Sequence, residues 1–181
     1  MSNSHSYGGL AIVLHWMSAL LILAVLLLGW KMGDMSKGPD KLLVMGWHQT
    51  VGICVMTLAV LRLLWRKAHA VPSMSMATPT DKLAAWVQIV LYLLMLVIPV
   101  MGYLTTSFGG HSLVLFGSVH VPLLTAINLD VHESLGDAHQ ALAYVMLALI
   151  ALHAAGALKH HFILRDDVLT RMLPMMKPRK D

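Results

Sequence analysis

Eleven histidines stand in a chain of 181 residues that is 57% hydrophobic and only 12% charged. An imidazole gains little from apolar surroundings, so in such a chain it needs a partner: a metal, a proton path or a polar group on a neighbouring helix. Four of them, His15, His48, His139 and His153, lie inside long apolar stretches that contain no Lys, Arg, Asp or Glu. His5, His69, His111, His120 and His132 fall outside those stretches, and no chemistry is assigned to them. The single cysteine, Cys54, excludes an intrachain disulfide framework, a Cys-based zinc site and a Cys-x-x-Cys-His attachment motif. A proton relay would want buried carboxylates, and the stretches hold none; Asp137 stands only at the outer end of the last one. Taken singly, each of the four histidines would more often be a hydrogen-bonded packing residue than a ligand. Their relative depths change that reading.

The uncharged stretches are Leu10 to Trp30, Leu42 to Leu61, Leu83 to Thr105 and Ala138 to Leu158. Each meets the roughly 20 residues that a helix needs to cross a bilayer core of about 30 Å. A mean hydropathy of +0.71, with so few charged side chains, excludes an ordinary soluble domain. The expected fold is an all-α integral membrane protein: one domain over 1–181, a four-transmembrane-helix bundle with spans near 10–30, 42–64, 83–105 and 136–160. The pI near 9.4 does not point to nucleic acid, because the basic residues border apolar runs instead of forming a stripe with interleaved aromatics. Trp16, Trp30, Trp47, Trp65 and Trp86 lie near predicted span ends, as expected for headgroup-level indoles.

Orientation follows from Lys and Arg. The side holding both termini and the second connection carries ten of them, and the other side only Lys31, Lys37 and Lys41. That asymmetry puts both termini in the cytoplasm. The first apolar run is too long for a cleaved signal peptide, and no Lys or Arg precedes it. The external segment 107–134 lacks Lys and Arg, and its Val114, Leu115, Phe116, Val121, Leu123 and Leu124 suggest a cap lying on the membrane surface.

With the directions set, His15 and His153 share a depth near the cytoplasmic side, and His48 and His139 share one near the outside. His139 and His153 are 14 residues apart on one helix, which places them within about 40° of a common face and about 21 Å apart along the axis. This geometry suits two bis-histidine haems, one above the other, each iron held between two helices. Zinc fits less well, since a structural site wants four ligands and each depth supplies two histidines.

Arg62 follows His48 by the same 14 residues, so it could pair with haem propionates at the cytoplasmic end; simple snorkelling is the alternative. His160 lies seven residues beyond His153, within about 20° of the same face, where it could hydrogen-bond a quinone carbonyl. The competing reading is a basic interfacial end formed by Lys159, His160 and His161. Gly46, Gly52, Gly102, Ala154, Ala155 and Gly156 are small residues near the proposed sites, useful to a flat macrocycle or simply to helix packing. The third span carries Pro99, which frees backbone groups for a kink, and no histidine; it reads as a wall.

The runs Val13-Leu14-His15-Trp16, Trp47-His48-Gln49 followed by Gly52, Arg62-Leu63-Leu64-Trp65-Arg66 and Leu152-His153-Ala154-Ala155 resemble the bacterial cytochrome b561 family. So does the tail from Lys159-His160-His161-Phe162 through Asp166-Asp167 to Leu169-Thr170-Arg171-Met172, and the similarity covers nearly the whole chain. The resemblance implies a dihaem b cytochrome of the bacterial inner membrane, with His15 and His153 on the cytoplasmic haem and His48 and His139 on the periplasmic one. It further implies that superoxide gives up electrons at the periplasmic face, that ubiquinone takes them, and that His160 contacts the quinone. One departure bears on the donor. The periplasmic side sets three lysines against Asp34, Asp40, Asp130, Glu133 and Asp137, a poor funnel for a small anion. A non-enzymatic conduit to a periplasmic redox protein therefore stands as the alternative.

Overall fold

The structure is a computed structural model and describes residues 7–69 and 78–173. Three of the ten basic residues counted on the terminal side, Lys177, Arg179 and Lys180, lie outside the described residues, as does His5. Four helices dominate: α1 (Gly9–Gly33), α2 (Pro39–Ala68), α3 (Pro79–Phe108) and α4 (Leu129–Lys159). All four are long and apolar enough to cross a membrane.

Local chemistry sets the helix starts. Pro39 and Pro79 occupy first-turn positions, where a missing N–H costs nothing. Thr78 and Asp81 form a reciprocal capping box at the start of α3. Asn128 Oδ1 accepts the Val131 N–H at 3.1 Å and opens α4. That cap starts α4 seven residues before the expected boundary at 136, because helix formation follows caps and propensity and does not stop where the apolar run stops. For the same reason α2 continues past Arg62 to Ala68. Pro99 is accommodated inside α3, which remains a single helix from Pro79 to Phe108.

The helices pack as two hairpins, α1 with α2 and α3 with α4, joined along α2 and α3. Between them lies a thin apolar core of Ile22, Val55, Ala59, Leu94, Met95 and Met146. Leu20, Leu27, Leu64, Leu93 and Leu147 are exposed on the bundle exterior, the distribution expected of helices whose outer faces meet lipid. Buried Ser18 donates to Leu14 O at 2.7 Å, so it satisfies its hydroxyl within its own helix.

The segment between α3 and α4 contains a feature absent from the all-α expectation, a β-hairpin of β1 (Leu113–Leu115) and β2 (Val119–Val121). Phe116 and Gly117 both have positive φ, +53° and +71°, and Ser118 N–H donates to Leu115 O at 3.1 Å, as a tight hairpin turn requires. The hairpin packs against the first half of α2: Val114 N–H donates to Gln49 Oε1 at 3.0 Å and Phe116 N–H to Thr50 Oγ1 at 2.9 Å. Fully buried Ser107 holds the loop after β2, its Oγ accepting from Leu124 N–H at 2.8 Å and from Thr125 N–H and hydroxyl at 3.3 and 3.2 Å. Tyr103 OH donates to Pro122 O at 2.6 Å. Polar side chains from the first half of α2 and the last turns of α3 thus tie the cap to the bundle. Short apolar strands with few hydrogen-bonding side chains of their own gave no helical or alternating pattern long enough to reveal this.

At the other end α4 runs into a π-turn, His160–Leu164, reverses at Arg165 with φ +57°, and closes with a 3₁₀ turn, Thr170–Met172. Trp16 Nε1–H donates to Met172 O at 2.8 Å, fastening this tail to α1.

Candidate functional site

The structure brings His15 of α1 to His153 of α4, with ring centroids 6.3 Å apart and planes 56° to each other. His48 of α2 meets His139 of α4 at 6.1 Å and 66°. The 14 residues between His139 and His153 separate the two pairs by about 21 Å of helix rise.

Each cap-end imidazole is seated against the backbone of its hairpin partner. His48 Nδ1–H donates to Val25 O at 3.0 Å on α1, and His139 Nδ1–H donates to Ile98 O at 3.0 Å on α3. A carbonyl only accepts, so the proton must sit on Nδ1 and the Nε2 lone pair is left for a metal. Four residues after each accepting carbonyl stands a glycine. A Cβ at Gly29 would lie 3.1 Å from His48 Cε1, and one at Gly102 would lie 3.0 Å from His139 Cε1. Both contacts are tighter than side-chain carbons normally make, so glycine lets the ring reach the carbonyl.

A third seat repeats the pattern. His132 Nδ1–H donates to Thr105 O at 2.8 Å, and a Cβ at Gly109 would lie 2.8 Å from that nitrogen. His132 to His139 and Gly102 to Gly109 are the same seven-residue step taken in opposite directions, the register of two antiparallel helices. The third helix is therefore more than the wall the sequence suggested, because its backbone orients an imidazole. Of the small residues singled out earlier, Gly102 serves this purpose and Gly46 faces Val114 O of the cap, while Gly52 and Gly156 border open space.

The terminal-end pair is dressed differently. Arg62 Nη2 lies 3.1 Å from His15 Nδ1, and the Arg62 guanidinium carbon lies 5.1 Å from the Tyr92 ring centroid. Arg62 therefore turns inward to the site and does not simply snorkel. His160 stands at the end of α4, its Nδ1 2.6 Å from Asp166 Oδ2. Because the chain widens into a π-turn at His160, its position is set by that turn and not by the helical projection from His153.

The donor set can be tested against a metal held between two imidazoles. Two metal–nitrogen bonds of about 2 Å, plus about 1 Å from each nitrogen to its ring centre, span about 6 Å. Both pairs match this length. The Nδ1–H···O=C bonds of His48 and His139 are the outer contacts that ligating histidines ordinarily make. Among the described residues no three His, Cys, Asp or Glu side chains converge, so each pair offers two axial nitrogens to a group that brings its own equatorial ligands. The residues fit haem.

Comparison with known proteins gives the same direction. The model of the prokaryotic cytochrome b561 family matches residues 6–175. The chain is 34% identical to cytochrome b561 homolog 2 of Escherichia coli (strain K12) over 92% of this chain and 90% of that protein. It is 32% identical to cytochrome b561 homolog 1 of the same organism, over 92% of this chain and 96% of that protein. It is 28% identical to a probable superoxide oxidase, CybB, of Yersinia pestis, over 93% and 96% of the two chains. Four apolar helices and a family match across nearly the whole sequence make this chain a member of the prokaryotic cytochrome b561 family, a membrane cytochrome whose family implies haem b and electron transport.

Proposed function

We propose that the protein holds two b haems and passes electrons across the bacterial inner membrane, from superoxide at the periplasmic face to ubiquinone on the cytoplasmic side. The observation that carries this reading is the pair of imidazole pairs, 6.3 and 6.1 Å between ring centres, at two levels of one bundle. His15 and His153 would hold the inner haem, and His48 and His139 the outer. Bound haem supplies reversible one-electron chemistry at iron.

This chain's residues do the rest. Val25 O and Ile98 O hold the outer imidazoles in one tautomer and raise their ligand basicity. Arg62 places a positive charge beside the inner pair, where a propionate would meet it. The apolar core between the levels keeps the path dry. His160 offers its ring to a quinone carbonyl on the cytoplasmic side. In the overall reaction two superoxide anions become two molecules of oxygen, and the two electrons reduce one quinone, which takes up two protons to form quinol. The name of the Yersinia pestis relative and the excess of Lys and Arg on the terminal side support this donor and this orientation.

A second reading is favoured by one feature. Asp130, Glu133 and Asp137 are exposed at the cap end of α4, a surface suited to a basic periplasmic redox protein. One assay separates the two. Purified protein with no partner should reduce its haems on exposure to superoxide and reoxidise them with short-tail ubiquinone, and a pyridine haemochrome should report two b haems per chain. Absent or slow reduction by superoxide would favour the conduit.

A further inference from the structure

At the end of α4 the chain makes an unusual reversal around one ion pair. His160 Nδ1 and Asp166 Oδ2 are 2.6 Å apart, a charge-assisted length. The other carboxylate oxygen, Oδ1, accepts Val168 N–H at 3.1 Å, and Asp166 N–H itself donates to His160 O at 3.2 Å. The aspartate is therefore gripped at three points, two of them on His160. Reaching this arrangement needs a π-turn and a non-glycine residue, Arg165, at φ +57°. Both features cost conformational energy and recur where a side chain must be aimed. His160 is mostly buried, with 18% of its side chain exposed, while Asp166 is 41% exposed toward the medium. Lys159, His161, Arg165, Asp167 and Arg171 are the other charged or titratable groups of this turn and tail.

We propose that Asp166 is a positioning residue that aims His160 as the proton donor to the quinone. This rests on the quinone placement of the preceding section. With Nδ1–H committed to the carboxylate, Nε2 is the ring atom left for substrate. In the charged pair, imidazolium with carboxylate, Nε2–H donates to a quinone carbonyl oxygen. As that quinone accepts an electron originating from the outer donor, the Nε2 proton moves to its oxygen and the imidazole is left neutral. Asp166 stays ionised throughout and keeps Nδ1–H committed, and water from the medium returns a proton to Nε2 once the product leaves. A second electron and a second proton complete the quinol.

The test uses the full-length, haem-loaded protein, reduced by superoxide and reoxidised by short-tail ubiquinone, with haem absorbance as the readout. Asp166→Asn should slow reoxidation at saturating quinone by about 100-fold or more, in the range of lost general-acid catalysis. The quinone concentration for half-maximal rate should change by less than about twofold, with the haem spectrum and the superoxide step unaltered. Asp166→Glu, which keeps the charge, should recover most of the rate. His160→Gln should lose as much as Asp166→Asn, and the double variant no more than either, because both remove one function. Wild-type rates in Asp166→Asn, or losses that multiply in the double variant, would overturn the proposal and leave the quinone placement standing. A wild-type rate in His160→Gln would overturn both.

Discussion

Gly102 and Gly29 are explained by the imidazoles that lie against them. A side chain at either position would push a histidine off its backbone carbonyl, and the consequence belongs to that histidine's site alone. Gly102→Val should therefore weaken haem retention at the outer site by about 10- to 100-fold, the usual effect of disturbing a ligand's outer partner, while the inner centre is unchanged in a redox titration. Ligand variants give the sharper result. His139→Ala should leave one b haem per chain by haemochrome assay, and His15→Ala should remove the other centre, with a different absorbance maximum lost in each case. Both variants extinguishing the same centre would break the pairing. The histidines themselves were legible in the sequence, because a charged or polar residue in an apolar run is conspicuous and 14 residues return to nearly one helix face. Their seats were not. A backbone carbonyl carries no residue identity, so Val25, Ile98 and Thr105 gave no sign. A weaker signal was present in the matching seven-residue steps of His132 to His139 and Gly102 to Gly109, which mark antiparallel neighbours.

At the scale of elements, the connection between α3 and α4 shows where periodicity runs out. Its strands are three residues each, too short for alternation to register; Gln49 and Thr50, more than 60 residues away on α2, hold the hairpin, and Tyr103 and Ser107 of the preceding α3 hold the loop after it. The expected cap on a membrane surface is thus a hairpin fastened to the bundle by side chains. Ser107 is its most consequential anchor, since one buried hydroxyl accepts from three donors. Ser107→Ala would leave the Leu124 and Thr125 N–H groups without that acceptor and should cost about 1–3 kcal/mol. Faster amide hydrogen exchange at residues 124 and 125, with haem content retained, is the measurement that checks it. The helix ends obey simpler rules. Thr78, Asn128 and the two first-turn prolines are local signals, yet α4 begins well before its apolar run because capping and hydrophobicity are independent properties of the chain.

For the whole molecule, the two proposed haem sites matter only if electrons traverse both. In sealed vesicles with the cap outward and quinone in the membrane, His139→Ala should abolish quinone reduction driven by external superoxide. Quinol should still reduce the remaining inner centre, as read from haem absorbance. Restored reduction in that variant would show that the outer pair is not on the path. Composition alone determined that this chain lives in lipid and crosses it four times, since 57% hydrophobic residues with 12% charged leave no other solvent for four such helices. Histidine spacing along α4 likewise determined that His139 and His153 lie near one helix face, because helix geometry is the same in every protein. Tertiary structure alone decided which backbone groups seat the rings, that Arg62 reaches His15, and that His160 is joined to Asp166. Those contacts depend on helix rotation and on irregular turns. Both are set by packing between segments distant in sequence, about which local pattern is silent.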